Sequence, residues 1–395
     1  MNQYWIDALS PLVFRSGKPF GAQSDTEDII FPLPSAAAGL IRTQYMLQNN
    51  FMLNYRPDQE SRAVLDNEKA EELKSIALRG FFLASQNQEK IKILVPKPTD
   101  AMYLKNKVSG QTELVRLVPM PSENTQTSGC DLPHEGLTPV SLLSDIKGKP
   151  QSGANYWAQE DFEKWQLGTS LSFEEVEQNG IKSLPLETRT HVALNDETLT
   201  SDDGKLFQTA SYDFAPTRKA HHQGWNTEQY GFIIASEQHI CDDIVRFGGE
   251  GRLSRLQKLK EKTVLPSEKL PSADSVFAAK GLKLTLLTPA IFSQGWLPGW
   301  IDTKTLEGTL PHTSITVRLR ATALDRWQPV SGWDLHRHKP KAMRKAVPAG
   351  SVYWFEYLGG DLHTLTNIAH HALSDDQQDC QDGFGIVALS AWKAS

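Results

Sequence analysis

The chain has 395 residues, room for two domains at the usual ~100 to 200 residues each, and is 39% hydrophobic against 22% charged. That balance, with 16 Phe, 10 Trp and 9 Tyr, excludes a disordered polypeptide. A net charge of −6 excludes non-specific nucleic-acid binding by a wholly basic surface.

Apolar runs such as Phe81 to Ala84 fall far short of the ~20 residues of a membrane span. The start, MNQYWIDALS, has neither a basic nor an apolar signal region, so a cytoplasmic location with no membrane contact is expected. Cys130, Cys241 and Cys380 lie far apart without a CxxC pair, which argues against a disulfide scaffold or zinc ribbon.

In chain order, Tyr4 to Phe14 reads as extended, and Gly17-Lys18-Pro19 opens a loop. Ser35, after Pro32-Leu33-Pro34, is the expected N-cap of a helix running to Arg42. Ile91 to Leu104 is a strand broken at Pro96 and Pro98, Leu114 to Val118 a short strand, and Met120 to Gly136 a loop. Strands are then expected at Thr190 to Leu194, Leu206 to Phe214, Tyr230 to Ser236, Lys283 to Leu287, Ile315 to Ala321, Ser351 to Tyr357 and Gly385 to Ala391. Helices are expected at Leu253 to Lys262 and Leu362 to Leu373. Strands interrupted by single helices indicate an α+β fold of two βαββαβ-like sheets with long insertions.

Charge is segregated. Val245 to Lys262 holds six basic residues against Glu250 and Glu261, and Ile315 to Lys345 holds eight against Asp325 and Asp334. The remainder is strongly acidic, so these runs are either a local polyanion groove or solvated faces. No HExxH, His/Cys finger or GxxxxGK[ST] spacing occurs, so neither a metal nor a cofactor is expected. Gly359-Gly360-Asp361 lacks the second carboxylate of a two-metal palm and reads as a turn with Asp361 capping the next helix.

The sharpest motif is Arg246-Phe247-Gly248-Gly249-Glu250-Gly251-Arg252. Three glycines permit positive φ, their amides can face a phosphate, and the arginines supply forked donors. Glu250 would repel a phosphate, so it should turn to a ribose hydroxyl or an arginine. A tight turn before a helix is the alternative. Trp296 and Trp300, in a Gly/Pro loop, are candidates for base stacking, a protein interface or core. Lys339 to Gly350 is a basic arm able to track a phosphate backbone, or a solvated loop. His191, in Glu187-Thr188-Arg189-Thr190-His191, suits either a hydrogen-bonding role or a general base for metal-free RNA cleavage.

Taken in order, these blocks resemble the third-subunit family of type III-B CRISPR effectors (Cmr complexes), RAMP proteins that cap the 5′ end of the guide RNA. The resemblance rests on Asp7 to Phe20, Phe31 to Ser35 with its helix to Arg42, Thr188 to Asn195, Gly204 to Phe207, Phe247 to Arg252, Pro289 to Phe292, Lys341 to Gly350 and Gly383 to Gly385. It implies two ferredoxin-like, RRM-related domains with long loop insertions, placed at 1–185 and at 186–395, the second carrying the glycine-rich loop. It also implies a non-enzymatic antiviral role. The protein would bind the crRNA 5′ tag and dock the large polymerase/cyclase-like subunit and the backbone RAMP subunit. An extended hairpin would meet target RNA near the guide 5′ end. Tag contacts carried over are Arg15, Lys18, Ser35, Arg42, Arg189, His191, Arg246, Gly248, Gly249, Gly251, Arg252, Met343, Arg344 and Lys345. The alternative is a metal-free RAMP endoribonuclease acting on precursor crRNA with His191 or His222 as base.

Overall fold

A computed structural model describes residues 1–15, 30–51, 54–56, 62–64, 67–87, 90–120, 130–195, 197–215, 228–334 and 339–394. Lys18 and His222 lie outside the described residues.

The described chain is organised by two antiparallel sheets. The first orders its strands Tyr156–Ala158, Lys90–Pro96, Leu78–Asn87, Glu228–Ser236, Asn2–Ala8, Leu253–Lys258 and Asp243–Arg246. The second orders Glu307–Thr309, Thr316–Ala323, Val352–Gly359, Gly281–Leu286 and Val387–Ala391. Four adjacent strands of each sheet, from Leu253–Lys258 to Leu78–Asn87 in the first and from Val387–Ala391 to Thr316–Ala323 in the second, run fourth, first, third, second when numbered in chain order. Register pairs Trp5 with Ile233 in the first sheet and Leu284 with both Tyr353 and Leu389 in the second. The fold is α+β.

Alternation within the strands decides what each face buries. Tyr4, Ile6, Phe81, Leu83, Phe232 and Ile234 point to one side of the first sheet. The helix Pro34–Gln48 lays Ala37, Ala38, Leu40 and Ile41 on them, its small residues letting the backbone approach closely. Pro34 takes the first helical position and Leu33 the N-cap, without a side-chain cap, so Ser35 lies one step inside the helix instead of capping it. From the other face, Trp5, Phe82, Ile233 and Ala235 share a core with Leu287, Ile386 and Ala388 of the second half. The far side of the second sheet carries its own core around Leu284, Tyr353, Phe355 and Leu389.

Between the sheets lies a buried polar network. Lys283 Nζ donates to Asp100 Oδ2 at 3.0 Å, and Trp165 Nε1 donates to Asp100 Oδ1 at 2.8 Å. Gln166 donates to Thr285 Oγ1 at 2.8 Å and accepts from Ser390 Oγ at 3.0 Å. Arg116, stacked 3.5 Å above the Trp165 ring, places Nη1 at 3.8 Å from Asp100.

One expected helix is corrected. Leu253–Lys258 is a strand, not a helix: Ser254 and Leu256 are buried while Leu253, Arg255 and Gln257 face out, a period of two. The first sheet includes Glu228–Ser236, Asp243–Arg246 and Leu253–Lys258, so it draws on both sides of residue 185, and the glycine motif belongs to it. Trp296 and Trp300 are half-buried against the second core, with Leu297 fully buried between them, so this loop offers no exposed apolar face. Asp361 caps the following turn through His363 N as expected, although Leu362–His370 is a 3₁₀-helix.

The buried pair gives a stability prediction. Lys283→Met leaves the Asp100 carboxylate buried without its main cation and should lose about 3–5 kcal/mol in urea unfolding. The double change Asp100→Asn with Lys283→Met should lose less.

Burial, then His371, then Arg79 lower the His312 pKa below its ordinary 6.5, and the two imidazoles stack at 4.2 Å. A His depressed in the folded state is favoured neutral there, so its contribution is present above the unfolded value and lost as pH falls. Thermal unfolding midpoints should drop on acidification below about 6.5, and His312→Asn, tolerant of the φ of 63° at that position, should flatten the drop.

Candidate nucleic-acid interface

The glycine motif is a tight turn joining two antiparallel strands, Asp243–Arg246 and Leu253–Lys258. With no helix after it, no helix dipole assists it. Gly248, Glu250 and Gly251 have φ of 92°, 58° and 65°. A Cβ on Gly248 would sit 2.8 Å from the Val13 carbonyl oxygen, so glycine is required there both for φ and for space. Gly249 N donates to Val13 O at 2.8 Å and Arg252 N to Gly249 O at 3.3 Å. The amides of Gly248, Glu250 and Gly251 make no hydrogen bond among the described residues. Phe247 anchors the turn from below, with its ring edge-on to Phe14 at 5.0 Å and against Phe81 and Phe232.

Glu250 turns to arginine. Arg15 Nη2 reaches its Oε1 at 3.1 Å and Arg252 Nη2 its Oε2 at 3.0 Å, so one carboxylate holds two guanidinium groups. The pairs are half-exposed, and each contributes little to stability. Their value lies in fixing two forked donors beside the unpaired amides.

This turn forms one wall of a groove of about 1040 Å³. The helix face Ala36, Gly39, Leu40 and Thr43 forms the other, and Arg15, Arg246 and Trp333 also line it. A smaller hollow of about 230 Å³ shares Phe14, Arg15, Ala36 and Trp333 and continues past Ser35 to Lys341, Ala342 and Arg344 of the second half. Arg15, Ser35, Arg246, Gly248, Gly249, Lys341 and Arg344 thus line one concave face, with Gly251 and Arg252 on its turn.

Several expected contacts are already engaged within the protein or lie elsewhere. Arg42 is largely buried, its guanidinium held by Asp382 at 2.5 Å and by the Lys74 and Ile76 carbonyls. Arg344 grips Asp379 with two bonds of 2.6 and 2.7 Å, and the Lys345 ammonium sits 4.9 Å over Trp327. Met343 is exposed beside them. Arg189 and His191 stand on a separate hairpin, Leu186–Leu194 with Ser201–Tyr212. There Arg189 pairs with Glu187 at 2.7 Å and His191 Nε2 lies 2.8 Å from Thr209 Oγ1. Cross-strand register puts the exposed Val192 and Leu206 side by side near the hairpin's end. The hairpin's foot is tied to the groove by reciprocal backbone bonds of 2.8 Å between Leu12 and Tyr212.

Sequence reading missed Trp333. The available signal was a tryptophan after Gly332, inside the basic segment Ile315 to Lys345. No cluster of His, Cys, Asp or Glu able to hold a metal occurs among the described residues. No described helix is long and apolar enough to cross a membrane.

Residues 4–392 match the family described as CRISPR-associated protein (Cas_Cmr3), and the chain belongs to that family of Cmr-complex subunits. Among solved structures it is similar to a chain of the type III-B Cmr-beta complex bound to cognate target RNA and AMPPnP, by cryo-EM. That match has 14% identity, 89% of this chain and 86% of that one covered, and a TM-score of 0.46. A chain of the same complex bound to cognate target RNA gives 15% identity, the same coverage and a TM-score of 0.45. No curated protein matches the sequence.

The two-arginine clamp makes a signed prediction. Glu250→Gln removes the carboxylate that competes with a phosphate for Arg15 and Arg252. Affinity for single-stranded RNA in low salt should rise a few-fold, and the salt dependence should steepen. A fall in affinity would mean that the carboxylate is needed to position the arginines.

Proposed function

We propose that this member of the Cas_Cmr3 family holds the 5′ tag of a crRNA along the groove between the glycine turn, the first helix and the arm around Arg344. It thereby docks the large polymerase/cyclase-like subunit onto the backbone RAMP subunit, in the cytoplasm and without a reaction of its own. One observation carries this reading: Arg15, Arg246 and two residues with unpaired amides, Gly248 and Glu250, line a single concave surface, with Arg252 clamped to Glu250 on the same turn. Amides with arginines bind phosphates without regard to base, which suits a subunit that fixes the register of a guide.

Two further parts of the reading have their own support. Each half is read as a ferredoxin-like domain, and the shared 4-1-3-2 strand order, with a helix after the first strand of one sheet and after the third strand of the other, supports this. The hairpin Leu186–Leu194 with Ser201–Tyr212 is read as the extended element that meets target RNA near the guide 5′ end. Its support is the pairing of a polar face, Arg189 and His191, with an apolar tip, Val192 and Leu206.

Ultraviolet crosslinking of the complex to its guide should fall sharply when Arg15→Ala and Arg252→Ala are combined. The salt slope of RNA binding should shrink by about 0.7 for each phosphate that the double variant no longer neutralises. An unchanged crosslink would overturn the reading. Incubation with repeat RNA in the absence of metal should yield no cleavage, and a product that disappears in His191→Ala would establish the endoribonuclease instead.

A further inference from the structure

We propose that Trp333 is a stacking platform for one unpaired nucleobase of the RNA strand in this groove, an inference that rests on the guide-RNA reading above. The described tryptophans divide sharply. Trp5, Trp157, Trp165 and Trp354 are buried, while Trp296, Trp300 and Trp392 are half-buried. Only Trp327 and Trp333 are exposed among those described, at 54% and 55%. The Trp327 face is taken by the Lys345 ammonium. Trp333 has neither a ring nor a cation over it among the described residues.

Position adds to exposure. Trp333 borders both hollows, where they meet at Phe14, Arg15 and Ala36. The larger groove is lined mainly by apolar or small groups, including Val13, Leu40 and Val245, with Arg15 and Arg246 as its cations and Asp243 and Glu250, the latter already held by Arg15, as its acids. Such a surface fits a ligand with a flat apolar body and a charged edge. A nucleotide has that form, its base lying on the indole and its phosphate directed to Arg15, Arg246 and the amides of the glycine turn. Indole stacking accepts any base, because each presents a π face, so the platform fixes register without reading sequence.

The test uses the full chain and a short fluorescein-labelled oligoadenylate, alongside the same strand carrying one abasic position moved along its length. Trp333→Ala should weaken binding roughly tenfold and Trp333→Phe far less, with no change in salt slope because every phosphate keeps its cationic partner. Trp333→Leu, which keeps apolar area without a π face, should behave like Ala. One abasic position should weaken the wild type but not Trp333→Ala, marking the base that stacks. If the wild type binds and Trp333→Ala binds equally well, or Leu substitutes fully for Trp, this inference fails while the guide-RNA reading stands. If the wild type does not bind RNA at all, both fall.

Discussion

The contact on which the architecture turns is the ion pair between Lys283 and Asp100, both buried between the two sheets. Lys283 occupies a strand whose inward-facing neighbours on this side are polar, Thr285 and, across the ladder, Ser390. Each finds its partner in the first half, so the interface has a fixed hydrogen-bond register that an all-apolar seam would lack. Burial lowers the Lys283 pKa, and Asp100 opposes that shift by favouring the ammonium. Desolvating two charges is costly, so the pair contributes less to total stability than to the choice of one docking geometry over its neighbours. Thr99 N, donating to Gly350 O at 2.9 Å, and the Arg42–Asp382 pair reinforce the same alignment at the rim.

That alignment matters because the candidate site belongs to neither half alone. Phe14, Arg15 and Ala36 come from the first half, and Trp333, Lys341, Arg344 and Phe384 from the second. Within the first half, the four residues from Leu12 to Arg15 act as a junction. Leu12 holds the hairpin foot, the Val13 carbonyl accepts from the glycine turn, Phe14 packs on Phe247, and Arg15 reaches Glu250. Hairpin, turn and groove therefore share one short stretch of backbone, and movement of any one of them is felt by the other two.

Much of this was legible in the sequence. Strands of the second half announce themselves by branched and aromatic residues between Gly and Pro breakers, and the glycine motif had to be a special turn because nothing else accommodates such φ values. The orientation of Glu250 followed from electrostatics alone. Other features were hidden for physical reasons. Ser254 fills a buried strand position with a polar residue, so the spacing of Leu253 and Leu256 suggested helix. Leu78–Asn87 is buried on both faces for most of its length, and its apolar run carries no period to read. The helix Asn67–Ser75 buries only Ala70 and Leu73, too few to stand out. No local pattern shows that Trp296 folds back onto the core while Trp333 does not, since that depends on residues distant in sequence.

The basic segments also mean something different once their partners are known. Arg318 bonds Glu307, Arg344 holds Asp379, Lys341 lies 3.9 Å from Asp382, and Arg15 and Arg252 share Glu250. The runs therefore present far less free positive charge than their composition suggests. A polyanion entering the groove would exchange with carboxylates already in place. Such an exchange gains less from counterion release than filling a bare cationic cleft would, and it selects for ligands whose geometry matches the displaced carboxylate. On an acidic chain, this arrangement would disfavour arbitrary nucleic acid, and the proposed RNA affinity would depend on the spacing of phosphates along one strand.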